Sequence, residues 1–293
     1  MLINEICKSC LLRKNINAYP ATATKDSIER YQRKLRDILD RSSGLSTPQV
    51  AEQVYAVQIK AFGAARDFSE TKRYYNSLML SLYPHMESRV NASEDRLKAA
   101  VQYAMVGNYI DFGASDSVDE NVLRQQLDEA FSLKIDPKIL NSFREEVHKA
   151  RRLVLFTDNC GEIVTDKLFI SVLRQLNPEL YVTIIVRGQP VLNDATMEDA
   201  IQVRMEEAAQ RVIGNGTGMP GNVVGAVSPE AMEKIRRADL LIAKGQGNYE
   251  GLSECGLNIF YLFLCKCELF MRRFNVPQFT GILTWESNKS VEL

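Results

Sequence analysis

The sequence LVLFTDNCGE, residues 153–162, joins a short apolar run to a polar tip, and it decides the fold class. Residues 153–157 have the apolar and β-branched character of a buried strand, and a helical pattern follows them. Similar strand-like runs occur at 181–186 and 240–243, with helical segments between them. Strands that alternate with helices form a mainly parallel sheet covered by helices on its faces. We therefore predict a three-layer α/β/α domain over residues 151–293.

The first 150 residues have a different pattern. Six segments between about Lys25 and Ala150 carry apolar residues at three- and four-residue spacing, which is typical of helices packed on one face. Turn residues separate these segments, such as the Ser-Thr-Pro that precedes Gln49 and can begin a helix. Residues 1–150 are therefore predicted to form a helical bundle. The change near Arg151 is either a domain border or a change of layer.

Composition restricts the class of protein. The chain has 293 residues, of which 45% are hydrophobic and 25% charged, so it can bury one large core or two modest ones. Lys and Arg number 36 against 37 Asp and Glu, a balance that gives no attraction to nucleic acid or to an anionic membrane. Six scattered cysteines do not form a disulfide framework, and the N-terminus MLINEICKSC lacks the apolar stretch of a signal peptide. A cytoplasmic location is expected.

The polar tip of the first strand contains ligands for a cation. Asp158 and Asn159 follow the strand directly, and a helix is predicted to begin near Glu162. In a parallel sheet, ligands bind beyond the carboxyl ends of the strands, where helix N-termini also attract anions. Carboxylate and amide oxygens at this position suit a divalent cation together with an anionic group. The alternative is that Asp158 or Asn159 only caps the helix.

The second strand ends in a comparable pair, Asn193 and Asp194. If the two strands are neighbours, Asp194 can approach Asp158 across the crevice between them. Ligation by oxygen atoms alone selects Mg, Mn or a similar ion. The alternative is that Asn193 and Asp194 form one more helix cap, before Thr196.

The third strand leads into Lys244-Gly245-Gln246-Gly247-Asn248-Tyr249-Glu250. A lysine followed by two glycines at a strand tip can grip a phosphate, because exposed backbone N–H groups and one ammonium meet the anion together. The alternative is an ordinary glycine turn beside a surface lysine.

The order and spacing of these segments resemble those of the damage-control phosphatase family, also known as domain of unknown function 89. The resemblance rests on TDNCGE, VLNDAT and ADLLIAKGQGNYEGL in the second half, and on AMVGNYIDFG in the helical half. The N-terminal pair Cys7-x-x-Cys10 resembles the mostly prokaryotic branch of the family. Together these segments cover nearly the whole chain.

The resemblance implies a helical N-terminal region joined to a three-layer α/β domain. It also implies a divalent-metal-dependent phosphatase that hydrolyses small phosphorylated metabolites, such as sugar phosphates, nucleotides or damaged phosphometabolites. The metal ligands of the family fall on Asp158, Asn159 and Asp194, and its phosphate-contacting lysine falls on Lys244. The neighbouring polar positions of the family fall on Glu162, Asn193, Asn248 and Glu250, and Asn108 and Asp111 match a further segment that closes the pocket or braces a helix.

The mechanism that follows is a hypothesis with open alternatives. The expected cofactor is a divalent ion, Mn, Mg, Co or Ni, with no organic cofactor. Asp158 either binds this ion or itself attacks phosphorus, and Glu162 or Glu250 activates water in the first case. A small phosphorylated metabolite is the only expected partner, with no nucleic acid and no membrane, and the oligomeric state is left open.

Two other functions compete with hydrolysis. A non-catalytic sensor could bind a phosphorylated metabolite through the same residues. A carboxyl methyltransferase would need a glycine loop directly after the first strand, where Asp158 stands instead. Cys7 and Cys10 have the spacing of half a zinc site, and equally that of a redox pair or of plain thiols. Cys265 and Cys267 are expected to pack in the core.

Overall fold

The computed structural model describes residues 1–63, 67–113 and 118–287. Its first part is helical, as predicted. The helices are α1 (Glu5–Asn15), α2 (Lys25–Asp40), α3 (Thr47–Phe62), α4 (Ser69–Ala92), α5 (Arg96–Gly107), α6 (Glu120–Asp128) and α7 (Pro137–Lys149). Side-chain caps fix several of their starts. Ser46 and Gln49 form a capping box at α3, and Asp136 caps α7 before Pro137.

The second part alternates strands with helices. The strands are β1 (Arg152–Phe156), β2 (Tyr181–Val186), β3 (Arg211–Gly214), β4 (Leu240–Lys244), β5 (Ile259–Leu264) and β6 (Gly281–Glu286). The helices are α8 (Glu162–Leu176), α9 (Met197–Gln202), α10 (Pro229–Arg237), α11 (Gln246–Leu252) and α12 (Glu268–Phe274).

The six strands form one sheet in the order β3-β2-β1-β4-β5-β6. The first five strands run parallel, and only β6 is antiparallel, on the edge beside β5. The chain moves outward from β1 to β3 and then returns to the other side of β1 with β4. This reversal opens a crevice between the carboxyl ends of β1 and β4, which is where ligands bind in open α/β sheets.

Apolar side chains cover both faces of the sheet, which confirms the predicted three-layer architecture. Along β1, Leu153 and Leu155 point into the core shared with α4, α5, α7 and α8, whereas Val154 and Phe156 point into the core shared with α10, α11 and α12. This alternation is the ordinary two-residue period of a strand. Helices α1–α3 have a small core of their own, formed by Tyr31, Leu35, Leu39, Val50 and Val54.

The larger core crosses the predicted domain border. It contains residues of α4 and α5 as well as residues of α8 and β1, which lie on the other side of residue 150. The division at that position stays a sequence-based prediction. None of the helices in the described ranges has both the length and the apolar character needed to cross a membrane.

Several elements were not predicted, among them α1, β3, β5 and β6. Helix α1 buries only Cys7 and Asn15, so its sequence lacks a strong apolar stripe. Strand β5 is a continuous apolar run, IFYLFL, and such a run cannot be distinguished from a buried helix by periodicity. Strand β3 has only four residues, and β6 lies on the edge with mostly half-buried side chains.

Candidate active site

The tips of β1 and β2 lie side by side, because the two strands are neighbours in the sheet. An isolated β-bridge joins Asn159 to Asp194, and the Ala195 N–H donates to the carbonyl oxygen of Asp158 over 2.7 Å. The side chains of Asp158, Asn159 and Asp194 line one cavity. The structure thus brings together the three residues that the sequence singled out as metal ligands.

A buried arginine holds the two carboxylates of this site. The guanidinium of Arg187 is fully buried, and its Nε lies 2.6 Å from Asp194 Oδ2 and its Nη2 3.4 Å from Asp158 Oδ1. Its Nη1 donates to Asn248 Oδ1 over 3.2 Å. The sequence analysis did not assign Arg187 to the site, although it directly follows β2 and so obeys the same strand-end rule as the acids.

Negative charge at the site exceeds what Arg187 compensates. Burial raises the pKa of Asp158 well above its ordinary value, and the charges of Glu162, Asp194 and Asp111 raise it further. Burial also raises the pKa of Asp194 to about 6, against the opposing effect of Arg187. A further positive charge beside the two carboxyl groups would favour their ionised forms.

The donors at the site fit a hard divalent ion. Asp158, Asn159 and Asp194 offer carboxylate and amide oxygens, and two poorly compensated acids favour an added cation. In the described part of the chain, no group of three or more His, Cys, Asp or Glu side chains is arranged to hold a metal.

Lys244 and Glu162 lie beneath the cavity and not on its wall. The Lys244 ammonium is fully buried, 2.6 Å from Glu162 Oε1, 2.7 Å from Asp166 Oδ1 and 2.8 Å from the Ala104 carbonyl oxygen. All of these partners belong to α8 or α5. The side chain of Lys244, the last residue of β4, points toward α5 and α8. This direction does not fit the expected contact with phosphate.

Asn108 connects this buried ion pair to the site. Its amide nitrogen donates to Asp158 Oδ2 over 3.0 Å and to Glu162 Oε2 over 2.9 Å. Its oxygen accepts from the Leu264 N–H over 3.1 Å. Glu162 Oε2 also accepts from the Asn159 side chain over 3.0 Å. Of the two roles considered for Asn108, the geometry matches bracing.

Two further amides fasten the loops around the site. Asn193 accepts from the Phe112 N–H over 3.0 Å and donates to the Ile110 carbonyl oxygen over 3.2 Å, which ties the segment after α5 to the tip of β2. Asn248 donates to the Thr157 carbonyl oxygen over 3.0 Å, which ties α11 to β1. Both side chains are completely buried, so the structure places them behind the cavity wall.

Gly245 allows β4 to turn closely past the first strand. Its φ angle is +79°, a region that side-chain-bearing residues rarely adopt. A Cβ atom at this position would lie 2.0 Å from Asp158 Oδ2. The glycine is therefore required both for the turn and for the position of the Asp158 carboxylate.

The cavity above these residues has a volume of about 2080 Å³. Among the predicted site residues, its wall includes Asp111 and Glu250 in addition to the three candidate ligands. Lys266 also lines it, with its Nζ 2.6 Å from Asp111 Oδ2. The sequence analysis missed Lys266 because β5 was not predicted, so its position just beyond a strand end could not be seen.

The cysteine pair of α1 faces the same cavity. Cys7, Cys10 and Cys267 all line it, and Cys7 Sγ lies 3.8 Å from Glu250 Oε1. Burial raises the pKa of Glu250 to about 7. Cys267 also packs against the core, and Cys265 is completely buried, as expected. All six cysteines are free thiols.

Comparison with known proteins identifies relatives of this chain. The family model of the damage-control phosphatase ARMT1-like domain matches residues 3–281. A damage-control phosphatase of Archaeoglobus fulgidus is 30% identical over 282 residues, which cover 94% of this chain and 96% of that protein. The damage-control phosphatase PH1575 of Pyrococcus horikoshii is 36% identical over 192 residues, covering 65% of this chain and 64% of that protein.

The fold has a close match among solved structures. The crystal structure of PH1575, described as a DUF89 family protein, superimposes with a TM-score of 0.81 at 28% sequence identity. The match covers 99% of this chain and all of that one, 100%. The chain therefore belongs to the damage-control phosphatase ARMT1-like domain family.

Proposed function

We propose that this protein is a divalent-metal-dependent phosphatase that hydrolyses small phosphorylated metabolites, such as sugar phosphates, nucleotides or damaged phosphometabolites. The observation that carries the proposal is the meeting of Asp158, Asn159 and Asp194 on the wall of one cavity, at the point where the strand order reverses. Membership of the family and the names of the relatives support it.

Asp158, Asn159 and Asp194 would hold the ion, with Mn, Mg, Co and Ni as candidates. A divalent ion supplies positive charge beside the oxygens of a phosphoryl group. Arg187 keeps the two carboxylates in place through its ion pairs with both of them. In addition, its buried charge reduces the repulsion between the acids before an ion is bound.

Lys266 is the lysine that we propose for contact with the phosphoryl group. It lines the cavity and is paired there with Asp111, so a bound anion can share its ammonium. Lys244 then acts indirectly, by fixing Glu162 and through it Asn108 and Asn159.

Glu250 is the proposed acid for activating water. It lies on the wall of the cavity, whereas Glu162 lies beneath it in an ion pair with Lys244. We retain Asn193, Gly245 and Asn248 as residues that shape the substrate site by holding the strand tips.

A cytoplasmic location and membership of the prokaryotic-type branch of the family are part of the same proposal. Six free thiols suit the reducing conditions of the cytoplasm, where phosphorylated metabolites occur. The pair Cys7-x-x-Cys10 supports membership of the prokaryotic-type branch.

The test is release of inorganic phosphate from sugar phosphates, nucleotides and p-nitrophenyl phosphate, with Mg, Mn, Co or Ni and with EDTA. We expect metal-dependent turnover that Asp158→Ala reduces by roughly a hundredfold or more, as happens when a central charged group of an active site is removed. Lys266→Gln should mainly raise KM. Asp128→Ala, at an exposed position on α6, is the control.

A second readout separates hydrolysis from binding alone. Calorimetric titration with Mn²⁺ should show binding by the natural protein and a large loss of affinity in Asp158→Ala. Binding of phosphorylated compounds without turnover, whichever metal is added, would replace the phosphatase with a sensor.

A further inference from the structure

Helix α3 contributes a tyrosine to the cavity. Tyr55 lines the cavity together with Asp111 and Asp194, although it comes from the α1–α3 helices and not from the sheet. Its ring packs against the small core of those helices, next to Val54. The Tyr55 side chain therefore contacts both that small core and the cavity.

Tyr55 shares the wall of the cavity with two carboxylates, Asp111 and Asp194. Burial raises the pKa of Tyr55, and the charges of Asp194 and Asp111 raise it further. A tyrosine phenol is in any case protonated at neutral pH, so the hydroxyl can donate one hydrogen bond.

No partner for this donor is found among the residues that the structure describes. No hydrogen bond involves the Tyr55 hydroxyl in residues 1–63, 67–113 or 118–287. By contrast, the hydroxyl of Tyr31, on the neighbouring helix α2, donates to the Asn15 carbonyl oxygen over 2.8 Å. The side chain of Tyr55 is only partly buried and lines the cavity, so its hydroxyl is open to a ligand there.

We propose that Tyr55 is a substrate-contacting residue, whose hydroxyl donates a hydrogen bond to a phosphoryl oxygen of the ester held at Asp158 and Asp194. The inference rests on the proposed function, because it places a phosphate ester in this cavity. It does not require that the ester be hydrolysed. A protonated phenol suits this place because it adds a donor for the anion without adding a charge.

The test uses Tyr55→Phe, which removes the hydroxyl and keeps the ring. Loss of one hydrogen bond to a charged group should weaken inhibition by inorganic phosphate on the order of tenfold and lower kcat/KM by a similar factor, mainly through KM. The midpoint of thermal unfolding should not change, since the packing is kept. Tyr74→Phe is the matched control, because Tyr74 is an exposed tyrosine of α4 whose hydroxyl donates to Glu120.

Calorimetric binding of inorganic phosphate in the presence of Mn²⁺ separates the two proposals. If the natural protein binds phosphate without hydrolysing esters, the phosphatase proposal fails, and a tenfold weaker binding by Tyr55→Phe still supports the contact. Binding by Tyr55→Phe within twofold of the natural protein overturns the contact and leaves Tyr55 as part of the wall. Absence of phosphate binding by the natural protein overturns it as well.

Discussion

At the scale of single residues, Lys244 and Lys266 show how two lysines at neighbouring strand ends acquire different roles. Lys244 is the last residue of β4, and its ammonium is enclosed by two carboxyl groups and a carbonyl oxygen. Lys266 comes two residues after β5 and faces the cavity beside Asp111. Only the second of these ammonium groups is placed to meet a ligand.

This difference predicts that Lys244 matters first for stability. Lys244→Met leaves Glu162 and Asp166 buried without their cation, which should lower the free energy of unfolding by about 3–5 kcal/mol. Urea unfolding at neutral pH measures the change. Lys134→Met, at an exposed position, is the control and should have little effect. A Lys244→Met protein that is as stable as the natural one, yet no longer binds phosphate, would restore Lys244 to the phosphate site.

The candidate residues of the site could be named from the sequence, whereas the directions of their side chains could not. Asp158, Asn159 and Asp194 were singled out as candidates because acids and amides at strand ends are recognisable from order alone. The inward direction of Lys244 depends on its being the last residue of the strand, and strand ends are uncertain by one or two residues. Arg187 was not assigned to the site because its ion pairs with Asp158 and Asp194 form only when the strands lie side by side in the sheet.

At the scale of elements, the turn between β4 and α11 sets the position of the Asp158 carboxylate. Gly245→Ala places a methyl group against Asp158 in addition to straining a backbone with φ of +79°. Gly256→Ala is a matched control, because Gly256 has φ of +68° and no atom within 4 Å of an added Cβ. The control should cost roughly 1–2 kcal/mol in the free energy of unfolding, from backbone strain alone.

Gly245→Ala should lower the free energy of unfolding by more than the control does. It should also weaken Mn²⁺ binding, since Asp158 must move. Chemical unfolding and calorimetric titration of both variants measure the two effects. Equal losses of stability, with Mn²⁺ affinity unchanged in both variants, would show that the turn has no influence on the site.

The elements that the sequence predicted are those whose apolar residues recur with a distinct spacing. Strands β1, β2 and β4 lie between helical segments whose three- and four-residue spacing marks them plainly, so their alternation could be recognised. Strand β5 gave no such contrast, and α1 buries too few side chains for its period to be visible. The order of the strands could be expected only in part, because it follows from packing between distant segments.

At the scale of the whole molecule, a buried group of one cation and two carboxyl groups connects the sheet to the helices on one face. Lys244 belongs to β4, Glu162 and Asp166 to α8, and all three are completely buried. Burial raises the pKa of Asp166 from an ordinary 3.8 to about 7. One proton on this group balances its charge at low pH.

The pH dependence of global stability follows from this proton. Between about pH 4 and pH 7, the folded chain holds a proton on Asp166 that the unfolded chain releases, so stability falls as pH rises. Asp166→Asn removes this dependence. Relative to the natural protein, the variant should gain on the order of 2 kcal/mol in the free energy of unfolding when pH is raised from about 5 to about 8.

Urea unfolding of both proteins at the two pH values measures the gain. Asp128→Asn, whose carboxyl group is exposed, should show no such gain. If Asp166→Asn and the natural protein differ in free energy of unfolding by the same amount at both pH values, Asp166 ionises as an ordinary carboxyl group.

The separate small core of helices α1–α3 has a consequence for how such proteins can evolve. The carboxylates proposed to bind the metal follow strands of the sheet, whereas part of the cavity wall comes from helices with a small core of their own. After gene duplication, substitutions in α3 can therefore alter which compounds are accepted without disturbing the sheet. Divergence in substrate choice at constant chemistry is the evolutionary outcome that this architecture favours.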